Sequence, residues 1–197
     1  LSGSLECLKY AHDHGCEWSA TTCANAARSG SLECLKFLHE NGCPWDESTC
    51  THASQAGQLA CLRYAHERKC KWTQQVCLVA ALEGHLACLQ YAFKHGVPLP
   101  PQVCAYAVHG AHLDCLQYAH SVGCAWDEET TTAACEMGDL VALAFAHENG
   151  CPWDASVSAA AASGGSLECV QYAHTHGCPW DESTCAYAGV ANSYEIL

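Results

Sequence analysis

Seventeen of the eighteen cysteines fall on three registers of a 27-residue period, and a histidine occupies a fourth. Counted from the residue that opens each period, cysteine stands at positions 5, 14 and 21 and histidine at position 10, giving C-x4-H-x3-C-x6-C. Three thiolates and one imidazole form a Cys3His set, the ligand type of structural tetrahedral zinc. Complete sets within one period are Cys7, His12, Cys16 and Cys23; Cys34, His39, Cys43 and Cys50; Cys61, His66, Cys70 and Cys77; and Cys169, His174, Cys178 and Cys185. Zinc is the cofactor this pattern suggests.

The imperfect copies carry further information. The fourth replaces the histidine and the middle cysteine together, with Phe93 and Val97. The sixth replaces the outer cysteines with Ala142 and Ser158, and the fifth changes only the last, to Thr131. The registers thus change as two pairs, 10 with 14 and 5 with 21. On a helix advancing 100° per residue, position 10 lies about 140° around from position 5, which sets one ion against reaching both. A site built from 10 and 14 of one unit with 5 and 21 of the next removes the conflict. It groups His12, Cys16, Cys34 and Cys50; His39, Cys43, Cys61 and Cys77; His66, Cys70, Cys88 and Cys104; and His147, Cys151, Cys169 and Cys185.

Two other readings compete with zinc. A buried cysteine packs as a small hydrophobe. A disulfide could join position 5 to 21 across a hairpin, leaving 14 over. A cysteine beside a histidine is also nominally a nucleophile and its base. Here the pair simply recurs, with no unique third group and no glycine-rich loop, so enzymatic activity is not expected.

The elements that must position these residues repeat with the same period. Copies span 3–29, 30–56, 57–83, 84–110, 111–137, 138–164 and 165–191, with a partial eighth at 192–197. Self-similarity at such a period is the mark of a solenoid, read here as a single repeat domain over 1–197 whose core is a line of nearest-neighbour interfaces. Leucine at position 3 of every copy, leucine or Val170 at 6 and an aromatic residue at 8 predict helix A over about 3–12. Ser4, Ser31, Asp139 and Ser166 are candidate N-caps. Glycine at 13, replaced once by Lys69, suits the left-handed residue that ends a helix. Helix B is predicted over about 18–26, capped at 17 by Asp46, Asp127, Asp154, Asp181, Ser19 or Thr73. Tryptophan before that cap reads as a hydrophobic staple, and alanine at 24 permits close helix contact. The expected fold class is all-α, a solenoid of stacked helix-turn-helix units.

The run G-x-L-E-C-L-K-Y-A-H-E-N-G resembles the second helix and terminal glycine of an ankyrin repeat, whose usual length is 33. Cys50-Thr51-His52-Ala53 falls where the first ankyrin helix would lie. The unit is similar to short, cysteine-rich ankyrin-like repeats, and the similarity covers the whole chain. It departs in lacking the T-P-L-H motif and in being shorter between the helices, so the projecting ankyrin β-hairpin finger is not expected. The resemblance implies a non-enzymatic scaffold for protein–protein interaction. The alternative is a structural, self-assembling repeat protein that forms fibres from metal- or thiol-stapled units.

A formal charge of −13 argues against binding a nucleic-acid backbone, which calls for a basic surface. No apolar run is long enough to span a bilayer, so neither nucleic acid nor membrane is an expected partner. Partners are a protein or other copies of the chain. Abundant cysteine suits a disulfide scaffold in a small secreted protein, but helices with their own core need no cross-links, which leans towards an intracellular setting. The carboxylates recurring at positions 4, 17 and 18 read as helix caps and dipole partners. A linear acidic stripe for a basic partner is their functional alternative. The chain starts at Leu1 and stops at Leu197 without polar capping repeats, which suggests a piece of a longer chain or ends that meet other copies.

Overall fold

A computed structural model describes residues 5–191. Among the described residues there are fourteen helices and no strand: α1 Leu5–Asp13, α2 Ala20–Arg28, α3 Leu32–Glu40, α4 Glu47–Gln55, α5 Leu59–Glu67, α6 Gln75–Leu82, α7 Leu86–Lys94, α8 Gln102–His109, α9 Leu113–Ser121, α10 Glu128–Glu136, α11 Leu140–Glu148, α12 Ala155–Ser163, α13 Leu167–Thr175 and α14 Glu182–Ala191. The candidate cap Ser4 and the partial eighth copy at 192–197 lie outside the described residues.

Each helix starts and stops where local chemistry directs. Asp46, Asp127, Asp154 and Asp181 accept the N–H of Ser48, Glu129, Ser156 and Ser183 at 2.9, 3.2, 2.8 and 2.9 Å, as N-cap carboxylates do. Where position 17 is Thr73 or Pro100, the helix begins one residue later. At the other end, Gly42 takes φ +79°, and Cys43 N–H reaches back to the Leu38 carbonyl at 2.9 Å, closing helix α3 with a left-handed cap. Lys69 holds the same register at φ +65° without being glycine.

The helical hairpin does not coincide with the 27-residue period counted from its glycine. Three residues, Ser29 to Ser31, join α2 to α3, whereas six, Asn41 to Asp46, join α3 to α4. The short link makes the tight pair. The packed hairpins are therefore α2–α3, α4–α5 and α6–α7, then α8–α9, α10–α11 and α12–α13: helix B of one period with helix A of the next.

The chain divides into two compact units, one ending at Leu99 and the other starting at Pro100, a boundary that falls between hairpins. In the first, α2, α4 and α6 stack in one row and α1, α3, α5 and α7 in another. In the second, α8, α10, α12 and α14 form a row, with α11 against α13. Alanine at position 24 lies at these contacts: Ala53, Ala80, Ala107, Ala134 and Ala161 are wholly buried. Leu35, Leu62 and Leu89 fill the core of one unit, and Leu116 and Leu143 that of the other, each contributing roughly 1.5–3 kcal/mol through burial. Among the described residues no helix is long and apolar enough to cross a membrane.

Candidate functional site

Two seams run through each unit, and neither is the four-ligand cluster that the spacing suggests. The first closes the open end of every hairpin. Position 14 follows the second helix of a hairpin and faces position 21 in the first turns of its first helix. Cys43 lies beside Cys23, Cys70 beside Cys50 and Cys124 beside Cys104. The same position-14 sulfurs donate to the carbonyl that starts the first helix: Cys43 to Ser19 at 3.4 Å, Cys70 to Asp46 at 3.1 Å and Cys124 to Pro100 at 3.5 Å. Cys151 and Cys178 do likewise to Asp127 and Asp154, both at 3.2 Å.

Where cysteine is missing from position 21, a hydroxyl replaces it. Ser158 donates to Cys178 Sγ at 3.2 Å and to the Pro179 carbonyl at 3.0 Å. Thr131 donates to the Pro152 carbonyl at 3.1 Å. Position 21 thus works with the position 14 that follows it in sequence, not with position 5 as the joint loss of cysteine in the sixth copy suggests. The Cys50 thiol, donating to Cys70 and buried, is held well above the ordinary range, and accepting that bond draws Cys70 down.

Position 5 is a separate core register. Cys34, Cys61, Cys88, Cys115 and Cys169 are all buried, and burial lifts Cys61 and Cys88 to about 11. Cys169 instead meets Cys135, the one cysteine off the three registers, between α13 and α10; accepting that thiol's bond brings it to about 7. Cys7, Cys16 and Cys185 are exposed, and Cys77 and Cys104 are buried on their helices.

The second seam is aromatic and joins successive hairpins. Five of the six position-10 imidazoles lie flat on the tryptophans of position 16. His12–Trp18, His39–Trp45, His66–Trp72, His120–Trp126 and His147–Trp153 stack at 3.9, 3.9, 4.1, 4.2 and 3.9 Å between centroids, with planes within 16°. Each pair receives the edge of the position-8 ring from the following helix A, namely Phe37, Tyr64, Tyr91, Phe145 and Tyr172. Tyr91 and Tyr172 also hydrogen-bond His66 Nδ1 and His147 Nδ1 through their hydroxyls, at 2.9 and 3.1 Å. His174 meets Trp180 edge-on at 5.0 Å. Face-to-edge aromatic arrays of this kind contribute about 0.5–1.5 kcal/mol per pair beyond burial.

Among the described residues no group of three or more His, Cys, Asp or Glu side chains is arranged to hold a metal ion. The Cys3His sets are therefore dispersed in this conformation: 14 and 21 in the thiol seam, 10 in the aromatic seam, 5 in the core.

The tryptophan partner of the histidine carries a sequence signal. The fourth copy loses both, with Phe93 for histidine and Leu99 for tryptophan. A third feature concerns charge. All eight Lys and Arg residues stand at or before Lys94, whereas residues 100–197 hold none against twelve Asp and Glu. In the first unit Lys9–Glu6 and Lys36–Glu33 form exposed ion pairs at 3.2 and 2.8 Å. The second unit has no Lys or Arg of its own to answer its carboxylates. Its Asp127, Asp154 and Asp181 recur as N-caps of the stacked α10, α12 and α14, each directly after a tryptophan.

Comparison with known proteins agrees on architecture. No family model matches the sequence, and no curated protein does. Among solved structures, the human ASB11 ankyrin repeat domain aligns with a TM-score of 0.67 at 17% identity, over 80% of this chain and 84% of that one. The fold is that of an ankyrin-repeat solenoid, all-α and without the β-hairpin finger among the described residues.

Proposed function

We propose that the chain is a non-enzymatic interaction scaffold whose second unit binds a basic protein segment. The observation that carries this reading is the partition of charge: residues 100–197 contain twelve carboxylates and no Lys or Arg. A surface of one sign steers and orients an oppositely charged partner. The carboxylates of Asp154 and Asp181 are held below their ordinary value by the hydroxyls and N–H groups of Ser156 and Ser183, which keeps them ionised. Trp180 is 44% exposed and directly precedes Asp181 and Glu182, and an exposed indole beside carboxylates suits lysine and arginine through cation–π attraction. The ankyrin-type architecture supports a scaffold role, because stacked hairpins present a repeating surface.

Titration of the full chain with a fluorescent oligolysine peptide, and with oligoglutamate as control, tests the proposal. The basic peptide should bind, weaken as salt rises, and lose affinity several-fold when Glu128, Glu129 and Glu182 are changed together to glutamine. Equal binding of the acidic peptide, or an unaltered affinity in the triple variant, overturns it. Light scattering on the same sample distinguishes a bound partner from association between copies of the chain.

A further inference from the structure

The closed ends of the hairpins carry an inference independent of the charge-based reading. Three of them hold a thiol on each side: Cys43, Cys70 and Cys124 donate to the Ser19, Asp46 and Pro100 carbonyls at 3.4, 3.1 and 3.5 Å, one helical turn before Cys23, Cys50 and Cys104. The other three carry one, because position 14 is Val97 in the hairpin of Cys77, and position 21 is Thr131 or Ser158 in the hairpins of Cys151 and Cys178. We propose that the three paired ends are modification sites, oxidised reversibly to disulfides by a small-molecule disulfide, so that each of these hairpins is stapled at its open end.

The geometry favours this pairing over any other among the registers. Position 14 and position 21 are brought together by the fold itself, since a hairpin returns the end of its second helix to the start of its first. The Ser158–Cys178 contact at 3.2 Å shows the separation that the register imposes. The position-14 sulfur is the one with access: Cys43, Cys70 and Cys124 are 4, 5 and 8% exposed, against 0% for Cys23, Cys50 and Cys104. In Cys70 and Cys124 the bond accepted from the deeper thiol also favours the thiolate.

The exchange balances in two steps. The position-14 thiolate attacks one sulfur of the small disulfide, expels one small thiolate and leaves a mixed disulfide on the protein. The position-21 sulfur loses its proton to that released thiolate, attacks the protein-side sulfur and expels the second small thiolate, which takes a proton from solvent. The protein loses two hydrogens per bridge, and the reagent is reduced to two thiols. The cysteine pairs with Val97, Thr131 and Ser158 lack the second sulfur and cannot complete the reaction.

The test is incubation of the folded full chain with hydroxyethyl disulfide, quenching and alkylation in acid denaturant, and non-reducing peptide mapping. Bridges are expected at Cys23–Cys43, Cys50–Cys70 and Cys104–Cys124, with a rise in Tm that dithiothreitol reverses. Cys70→Ser should remove its own bridge and leave the other two. Ser158→Cys, a substitution within the range of residues already found on that register, should add a bridge to Cys178. The proposal is overturned if these six cysteines remain unbridged, if they stop at mixed disulfides, or if mapping joins them to position-5 cysteines instead.

Discussion

Ser158 gives its hydroxyl hydrogen to the Cys178 sulfur across 3.2 Å, on the register where Cys50 meets Cys70 in the first unit. The two contacts show what the fold asks of position 21: a small side chain that can donate into the mouth of its hairpin. Sulfur is one way to satisfy that demand, and oxygen is another.

Replacement of Cys50 should follow the same rule. Cys50→Ser retains a donor of nearly the same shape, and its cost is expected to stay below about 1 kcal/mol, the net value of one ordinary hydrogen bond. Leu62→Ala removes a fully buried leucine and is expected to cost roughly 2–5 kcal/mol. Urea unfolding of both variants measures the two losses. A Cys50→Ser loss as large as that of Leu62→Ala would mean that the sulfur itself, through a metal or a covalent bond, holds the hairpin.

Zinc offers a direct check on the dispersal of the Cys3His sets. With His39 flat on Trp45 at 3.9 Å and Cys43 engaged with Cys23, the four side chains of the second copy are committed to different neighbours. Chain purified without chelator is expected to carry less than one zinc per chain by elemental analysis, and EDTA to leave its Tm unchanged. One zinc for every complete ligand set would require the imidazoles to leave their indoles and the seam to rebuild around metal.

The repeat, the helix limits and the caps were open to reading because each depends on residues close in sequence: leucine at 3 and 6, aspartate at 17, glycine at 13. The partners of the cysteines and histidines depend on which helices form a hairpin, and both links between helices are short. The decisive clue was the shorter of the two, Ser29 to Ser31, which pairs helix B with the next helix A and brings Cys23 to Cys43. Counting from glycine hid that frame and directed attention to position 5 with 21. The stack of His39 on Trp45 was likewise masked by reading tryptophan as a staple, although Phe93 and Leu99 change together. Charge was legible throughout; its segregation after Lys94 emerges only when the chain is divided at Pro100.

Protonation should loosen the aromatic seam. Burial, and then the nearby His95, hold His66 below the ordinary imidazole value of 6.5; Lys69 acts in the same direction and Glu67 against it. Its ring also meets Trp72, Tyr91 and His95. As pH falls the unfolded chain takes the proton first, so the contribution of this site is fully present above about 6.5 and declines as pH drops through the lower folded value. NMR titration of the His66 ring is expected to give a midpoint below 6.5, moving part of the way back in His95→Ala. A midpoint at or above the ordinary value would contradict the packing described for this ring.

Position 20 provides the sharpest test of how each row of first helices is packed. After Thr22 of the first copy, which is half-buried and accepts the Ser19 N–H at 3.2 Å, it holds one of two residues of nearly the same shape: Thr49, Thr130 and Thr184 in some copies, Val76, Val103 and Val157 in others. All six are buried, and the three threonine hydroxyl oxygens have no hydrogen-bond partner. A buried hydroxyl without a partner costs about 1–3 kcal/mol relative to an apolar group of the same outline. Thr49→Val is therefore expected to raise stability by about 1 kcal/mol, and Val76→Thr, which adds a hydroxyl in the same row, to lower it by at least as much. Midpoints of urea unfolding for both variants decide the matter. A loss of stability in Thr49→Val would show that this hydroxyl is satisfied in solution, by water or by a shift of the neighbouring turn, and that the row is less tightly packed than its fully buried alanines imply.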